Sequence, residues 1–326
     1  MTTLVYLLGY LGVLGFAVTS LMKIMKYVKS TPLHVRWELY PVPHEGERAK
    51  HGGSYLEEFE WWKEKRHIHH MGDLKALIME VFFLEATFHH NKPLWIRTYP
   101  FHFGLYMLMG GAIILLLMGI IRLGTGDQNA FFGFVYWVVN IMAIVGMFGL
   151  VLGGIGLIQR RLTDKGLKMV STPEHFFDIG AFVLFGLTGM AVWFANGGLV
   201  PMAQAATASF AKLAGDYVYG LLTFNKALVF SGAFCLHVII GVVLMLIIPL
   251  TFMSHILLKY FFYHDVRWED VATPESKKNQ DAILKGLQFH LTWKAPHLNP
   301  EGKSMTWVEM ATSGYECQKP KTEEDK

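Results

Sequence analysis

The sequence predicts an all-α integral membrane protein, a five-transmembrane-helix bundle with its N-terminus outside and its C-terminus in the cytoplasm. Three observations predict it. Hydrophobic residues make up 52% of the 326 and charged residues only 17%, against about 25% charged in soluble domains. The apolar residues gather into five long runs, and a hydrocarbon core of about 30 Å needs about 20 such residues per helical crossing. Lysine and arginine then crowd alternate loops, which sets the orientation.

Residues 1–28 hold the first span, about Leu4–Tyr27. Thr2–Met22 is apolar, lacks a charged leader and is followed by Lys23, Lys26 and Lys29, the reverse of a secretory signal. Residues 29–97 form a polar cytoplasmic segment that opens as a loop punctuated by proline and glycine and continues as a charge-dense helical stretch. Its last part, LKALIMEVFFLEATF, is too short and, with Glu80 and Glu85, too acidic to cross a bilayer. It predicts an interfacial helix, with Trp61, Trp62 and Trp95 at headgroup level.

Residues 98–263 carry four more spans: Pro100–Ile121, Phe131–Ile158, Phe177–Phe194 and Ala227–Phe262. The loop Arg161–Glu174 ends in a helix-start signature, Ser171 or Thr172 ahead of Pro173. A short helix is expected within Val200–Leu213. The last span exceeds one crossing and is expected to run on as one continuous helix toward His264 and Arg267. Residues 264–326, polar and interrupted by prolines, read as a cytoplasmic tail that docks a partner.

Five spans leave the termini on opposite sides, and the basic residues choose between them. Ten lysines and arginines lie from Lys29 to Arg97, and Arg160, Arg161, Lys165 and Lys168 follow the third span. The two intervening segments hold only Arg122, and Lys212 with Lys226. The basic segments belong in the cytoplasm. The net charge of +3 calls for no nucleic-acid partner.

Chemistry must come from histidine. The two cysteines, Cys235 and Cys317, build neither a disulfide framework nor an iron–sulfur site, and no C-x-x-C-H attaches a haem covalently. Of 15 histidines, His102, His237 and His255 fall in or at the edge of strong spans. His237 and His255 lie 18 residues apart, five helical turns, so one continuous helix would present both on one side, about 27 Å apart. His102 opens the second span and His255 closes the fifth, which puts them at the same cytoplasmic-side depth. That is the arrangement of a bis-histidine haem b, against the plain alternative of two hydrogen-bonded core histidines. The ligand opposite His237 stays open. Leu108–Ile113 on the second span reads LMGGAI, while Met107, Met109, Met118 and Met190 offer sulfur; an unpaired histidine or one serving quinol are the other readings.

Arg97, Arg160 and Arg161 stand where haem propionates would lie, though topology anchors take the same positions. Candidate proton acceptors for quinol are His237, Asp178, Glu85 and His175, with Glu80 behind them. His67, His69 and His70 with Glu64, and His89 with His90, have metal-cluster composition but a solvated setting. Gly110, Gly111, Gly149, Gly153, Gly154 and Gly156 permit close helix approach.

With PFHFGLYM at residues 100–107, LIQRRLTD at 157–164 and FCLHVIIGVVLMLIIPLTFMSH at 234–255, the chain resembles the haem b membrane (gamma) subunit of respiratory nitrate reductase. It is still more similar to that family's relatives in the sulfite-reduction-associated, Hmc-type and Tmc-type transmembrane redox complexes of sulfur- and sulfate-metabolising prokaryotes. The resemblance covers about residues 98–262. It implies that His102 and His255 ligate a cytoplasmic-side haem and that His237 ligates an outer-side one, whose second-span ligand falls at about Ala112. It implies a cytochrome b of the inner membrane that exchanges electrons between menaquinol and its partners. Those partners would be a cytoplasmic, heterodisulfide-reductase-like iron–sulfur subunit, a periplasmic multihaem cytochrome c and other membrane subunits. The rival readings are a helical transporter, which needs polar groups on discontinuous helices, and a cofactor-free membrane anchor.

Overall fold

The computed structural model describes residues 2–29, 59–60, 63, 69–126, 130–225, 228–255, 257–258, 276–293 and 304–312. Several expectations lie outside these residues: Trp61, Trp62, Glu64, His67, His264, Arg267, Cys317, and any continuation of the fifth span to Phe262. The chain divides into two units, Met1–Met25 with Met71–Leu258, and Lys26–His70 with Lys259–Lys326.

In the first unit the order is α1 (Thr2–Val28), α2 (His70–Phe83), α3 (Glu85–His90), α4 (Lys92–Thr125), α5 (Ala130–Thr163), α6 (Lys165–Val170), α7 (Pro173–Ala195), α8 (Met202–Ala205), α9 (Phe210–Thr223) and α10 (Gly232–Ile247). Two 3-10 turns follow, Ile248–Leu250 and Phe252–Ser254. The second unit holds α11 (Lys277–Leu287) and α12 (Trp307–Thr312), with an antiparallel bridge between His290 and Thr306. Five of the described helices are long and apolar enough to cross a membrane: α1, α4, α5, α7, and α10 with its first 3-10 turn.

Caps explain where these helices start. α4 begins earlier than its apolar run because the Asn91 side chain accepts from Leu94 N–H at 3.1 Å and Pro93 sits in the first turn. α7 begins at Pro173 behind Thr172, and His175 Nδ1 accepts from the Thr172 backbone N–H at 3.1 Å. A histidine there does the work of the glutamate in a capping box.

Packing is tightest between α4 and α5. A Cβ on Gly104 would stand 2.5 Å from Gly146 O, and one on Gly153 would stand 2.5 Å from Phe101 N. The two backbones touch directly, which the missing side chains alone permit. α7 packs along α5 and α10 along α7. α9 is held to α4 by Asp216, which accepts from Arg122 Nη1 at 2.8 Å and from Lys212 Nζ at 2.6 Å. α1 is tied to α9 through Tyr10, whose hydroxyl donates to Leu221 O at 2.6 Å.

One expectation fails. The fifth span is not one continuous helix: α10 starts only at Gly232, ends at Ile247, and the chain becomes extended at Thr251, with φ −106° and ψ −173°. Pro249 supplies the reason, since its ring has no N–H to donate and crowds the carbonyl four residues earlier. His237 and His255 therefore do not share the face of a single helix.

Candidate functional site

His102 projects from the third turn of α4. Its Nδ1 lies 2.8 Å from Thr98 O and 3.2 Å from Thr98 Oγ1. A carbonyl oxygen only accepts, so Nδ1 carries the hydrogen and Nε2 the lone pair. His255, directly after the second 3-10 turn, repeats the pattern with Nδ1 3.0 Å from Phe252 O. The two ring centroids lie 6.2 Å apart, with the planes inclined by 54°. Two imidazoles on opposite sides of one metal ion, each bonded at about 2 Å, have centroids about 6 Å apart. An Nδ1–H bonded to a carbonyl is the usual way a protein orients a metal-binding histidine. The pair therefore fits the axial positions of one iron.

The surrounding elements hold this pair in place. Tyr106, 6.4 Å from His102 ring to ring, donates its hydroxyl to Val81 O, and its ring meets Phe82 at 5.4 Å. Trp95 Nε1 donates to Phe83 O at 2.9 Å. α2 is thus fastened beside His102. On the other side His175 stacks on Phe252 at 4.8 Å and 11°, which anchors the turn that carries His255 to α7.

Asp178 lies one turn after His175 on α7 and is 1% exposed. Neither carboxyl oxygen has a partner in good hydrogen-bond geometry; the Thr251 hydroxyl comes nearest to supplying one, and Glu174 and His175 are the charged and titratable neighbours. Among the described residues no salt bridge fixes its charge. Thr251 is the residue at which the fifth span comes apart, so the carboxyl sits beside the break.

His237 has a different environment. It is 6% exposed. Phe185 stacks on its ring at 4.4 Å and 21°, and Phe210 meets it nearly edge-on at 5.9 Å. Its Nδ1 lies 3.2 Å from Thr188 Oγ1. A Cβ on Gly189 would stand 2.9 Å from both His237 Cε1 and Met147 Sδ. Met147 thus packs on the same point of α7 as His237, a neighbour not among the four methionines expected. Of those four, Met109 is exposed and Met118 belongs to a separate buried cluster with Leu115 and Phe132. The rotation of α5 about its axis, which spacing along the chain does not report, brings Met147 there.

The remaining candidates are scattered. Arg97 Nη1 donates to Pro93 O at 2.6 Å, and its stem covers Gly156. Arg161 Nη1 donates to Ser171 Oγ at 3.1 Å, and Arg160 is partly exposed in the last turns of α5. Glu85 opens α3, and Glu80 Oε2 accepts from Ala86 N–H at 3.0 Å there. His69, His70, His89 and His90 form no metal cluster: among the described residues no group of three or more His, Cys, Asp or Glu side chains could hold an ion.

Residues 85–270 match the model of the nitrate reductase gamma subunit family. No curated protein and no solved structure matches the chain.

Proposed function

The chain belongs to the nitrate reductase gamma subunit family, and from that premise we propose that it is the membrane cytochrome b of an electron-transfer complex with haem b between His102 and His255. A haem held there supplies one-electron exchange between a quinol and an iron–sulfur partner. One observation carries this reading: two imidazoles from different spans, both with Nδ1 on a backbone carbonyl, stand 6.2 Å apart. Fixing Nδ1 as the donor keeps each ring from rotating away and leaves Nε2 as the ligating atom.

The electron donor in this reading is menaquinol, and a quinol gives up two protons with its two electrons. Asp178 is the acceptor favoured for one of them, being buried with no ion pair to fix its charge. Glu85 sits on a surface helix, and the His237 ring is stacked on Phe185 and hydrogen-bonded to Thr188. Arg97, Arg160 and Arg161 lie at the same ends of α4 and α5, and guanidinium groups with five N–H donors suit propionate carboxylates. A cytoplasmic heterodisulfide-reductase-like iron–sulfur subunit and a periplasmic multihaem cytochrome c are the proposed partners.

A second reading draws support from the break at Thr251 beside a buried carboxyl, since helical transporters bind ions at such discontinuities. A reduced-minus-oxidised spectrum of the purified protein separates the two. The cytochrome shows a haem b α-band that His102→Ala and His255→Ala each abolish. A wild-type protein without that band overturns the cytochrome reading and leaves a transporter or an anchor.

A further inference from the structure

We infer that this chain holds a single haem, and that His237 closes the other half of the bundle instead of ligating a second one. The inference rests on the assignment of His102 and His255 above. The 18-residue spacing makes His237 and His255 look equivalent, and their tautomers match as well. The Thr188 hydroxyl spends its own hydrogen on Leu184 O at 3.0 Å or Phe185 O at 3.1 Å. Its oxygen is then left to accept from His237 Nδ1–H at 3.2 Å. What differs between the two histidines is the opposing group and the room around the ring.

Among the described residues no histidine opposes His237; of the sulfurs, Met147 lies at the same Gly189 as the ring itself, and Met190 is partly buried against the cluster that holds Met147. Positions 108–113 of α4 contain no histidine, and Ala112 is exposed on the outside of α4. Leu108 instead packs into α5, where a Cβ on Gly146 would meet it at 2.8 Å. The room is missing too. A flat macrocycle in contact on both faces needs about 7 Å between the atoms flanking it, two carbon–carbon contact distances. Around His237 the α7 backbone at Gly189 and the Met147 sulfur press on a single point beside the ring, Phe185 covers one face and Phe210 approaches an edge. Met147, Phe210, Phe234 and Cys235 belong to one buried cluster there, each 8% exposed or less. Between α4 and α5 the backbones already touch. Among the described residues no second imidazole stands opposite His237 as His255 stands 6.2 Å, centroid to centroid, from His102.

His237 is thus a packing and hydrogen-bonding residue that joins α10 to α7. Electrons then enter and leave this chain at the His102 end only. A path across the whole bilayer needs a cofactor carried by another subunit.

The test is haem stoichiometry on the full-length protein, extracted in mild detergent and assayed as the pyridine haemochrome against protein concentration, with a potentiometric titration of the α-band. One haem b per chain and a single one-electron wave are expected. His237→Gln is expected to retain the full haem content and the same potential, while His102→Ala loses all of it. Two haems per chain, two waves of equal amplitude, or loss of haem on His237→Gln without unfolding would overturn the inference and leave the His102–His255 assignment standing. A chain without haem overturns both. The wild-type stoichiometry decides the matter even where the His237 variant fails to fold.

Discussion

The hydrogen bond that one imidazole nitrogen makes decides which nitrogen is left free to ligate. Thr98 O and Phe252 O make that decision for His102 and His255 at 2.8 Å and 3.0 Å. Depth in the sequence was enough to pair these two residues. It could not show their carbonyl partners, because those depend on side-chain rotamers and on the turn before His255. Asp178 was likewise legible as a carboxylate one turn into an apolar span, but its isolation was not. With Thr251 as the hydroxyl near it and no bond of good geometry to either oxygen, a charge there is expensive to hold, and its removal tests its role. Asp178→Asn is expected to slow reduction of the haem by a reduced menaquinone analogue by about 100-fold, within the range lost with a general base. Haem content should stay unchanged. Stopped-flow absorbance at the α-band measures this, and an unaltered rate in Asp178→Asn would place the proton acceptor elsewhere. Glu85→Gln, on a surface helix, is expected to alter the rate less than twofold.

The fifth span shows how one residue redirects an element. Periodicity through Ala227–Phe262 reads as uninterrupted helix because every side chain in it suits lipid. Pro249 removes one donor from the helix, and Thr251 N–H still reaches Ile247 O at 3.0 Å. Thr251 then turns extended while its hydroxyl accepts from Met253 N–H at 3.3 Å to start the next turn. This geometry, rather than five helical turns from His237, carries His255 to His102. Pro249→Ala restores the missing donor and removes a strain of about 3 kcal/mol on helix continuation. The variant is expected to bind less than half the wild-type haem while unfolding at an equal or higher temperature. Haem content beside a thermal melt checks both halves, and full haem retention would show that the break does not position His255. The α4–α5 contact is the opposite case. Of the glycines expected to permit close approach, Gly149 and Gly153 do so backbone to backbone, as does Gly104, which was not among them. Gly110 and Gly111 meet only side chains, at 3.2 and 3.5 Å.

For the whole chain, the distribution of lysine and arginine yields a topology that helix geometry alone does not carry. Arg160 and Arg161 end α5, and the 29–97 segment holds ten basic residues against one, Arg122, between the second and third spans. Basic loops stay in the cytoplasm. A fluorescent protein fused after Lys326 is therefore expected to be bright, and alkaline phosphatase inserted after Gly126 to be active. The reverse pair of results would invert the bundle and place the His102–His255 pair on the outer side. With the orientation as proposed, this pair faces the cytoplasm, where an iron–sulfur partner would take or supply its electrons.

The sequence by itself determined the membrane class, the five spans, and which histidines lie at matching depth. These follow from hydrocarbon thickness and residue polarity, which act on each segment independently. Tertiary structure decided which histidine meets another. His237 and His255 carry the same chemistry on neighbouring stretches of chain, but Gly189, Met147, Phe185 and Phe210 close around the first, while the break at Thr251 turns the second toward His102. Space between helices depends on how each is rotated against its neighbours, and no single segment encodes that.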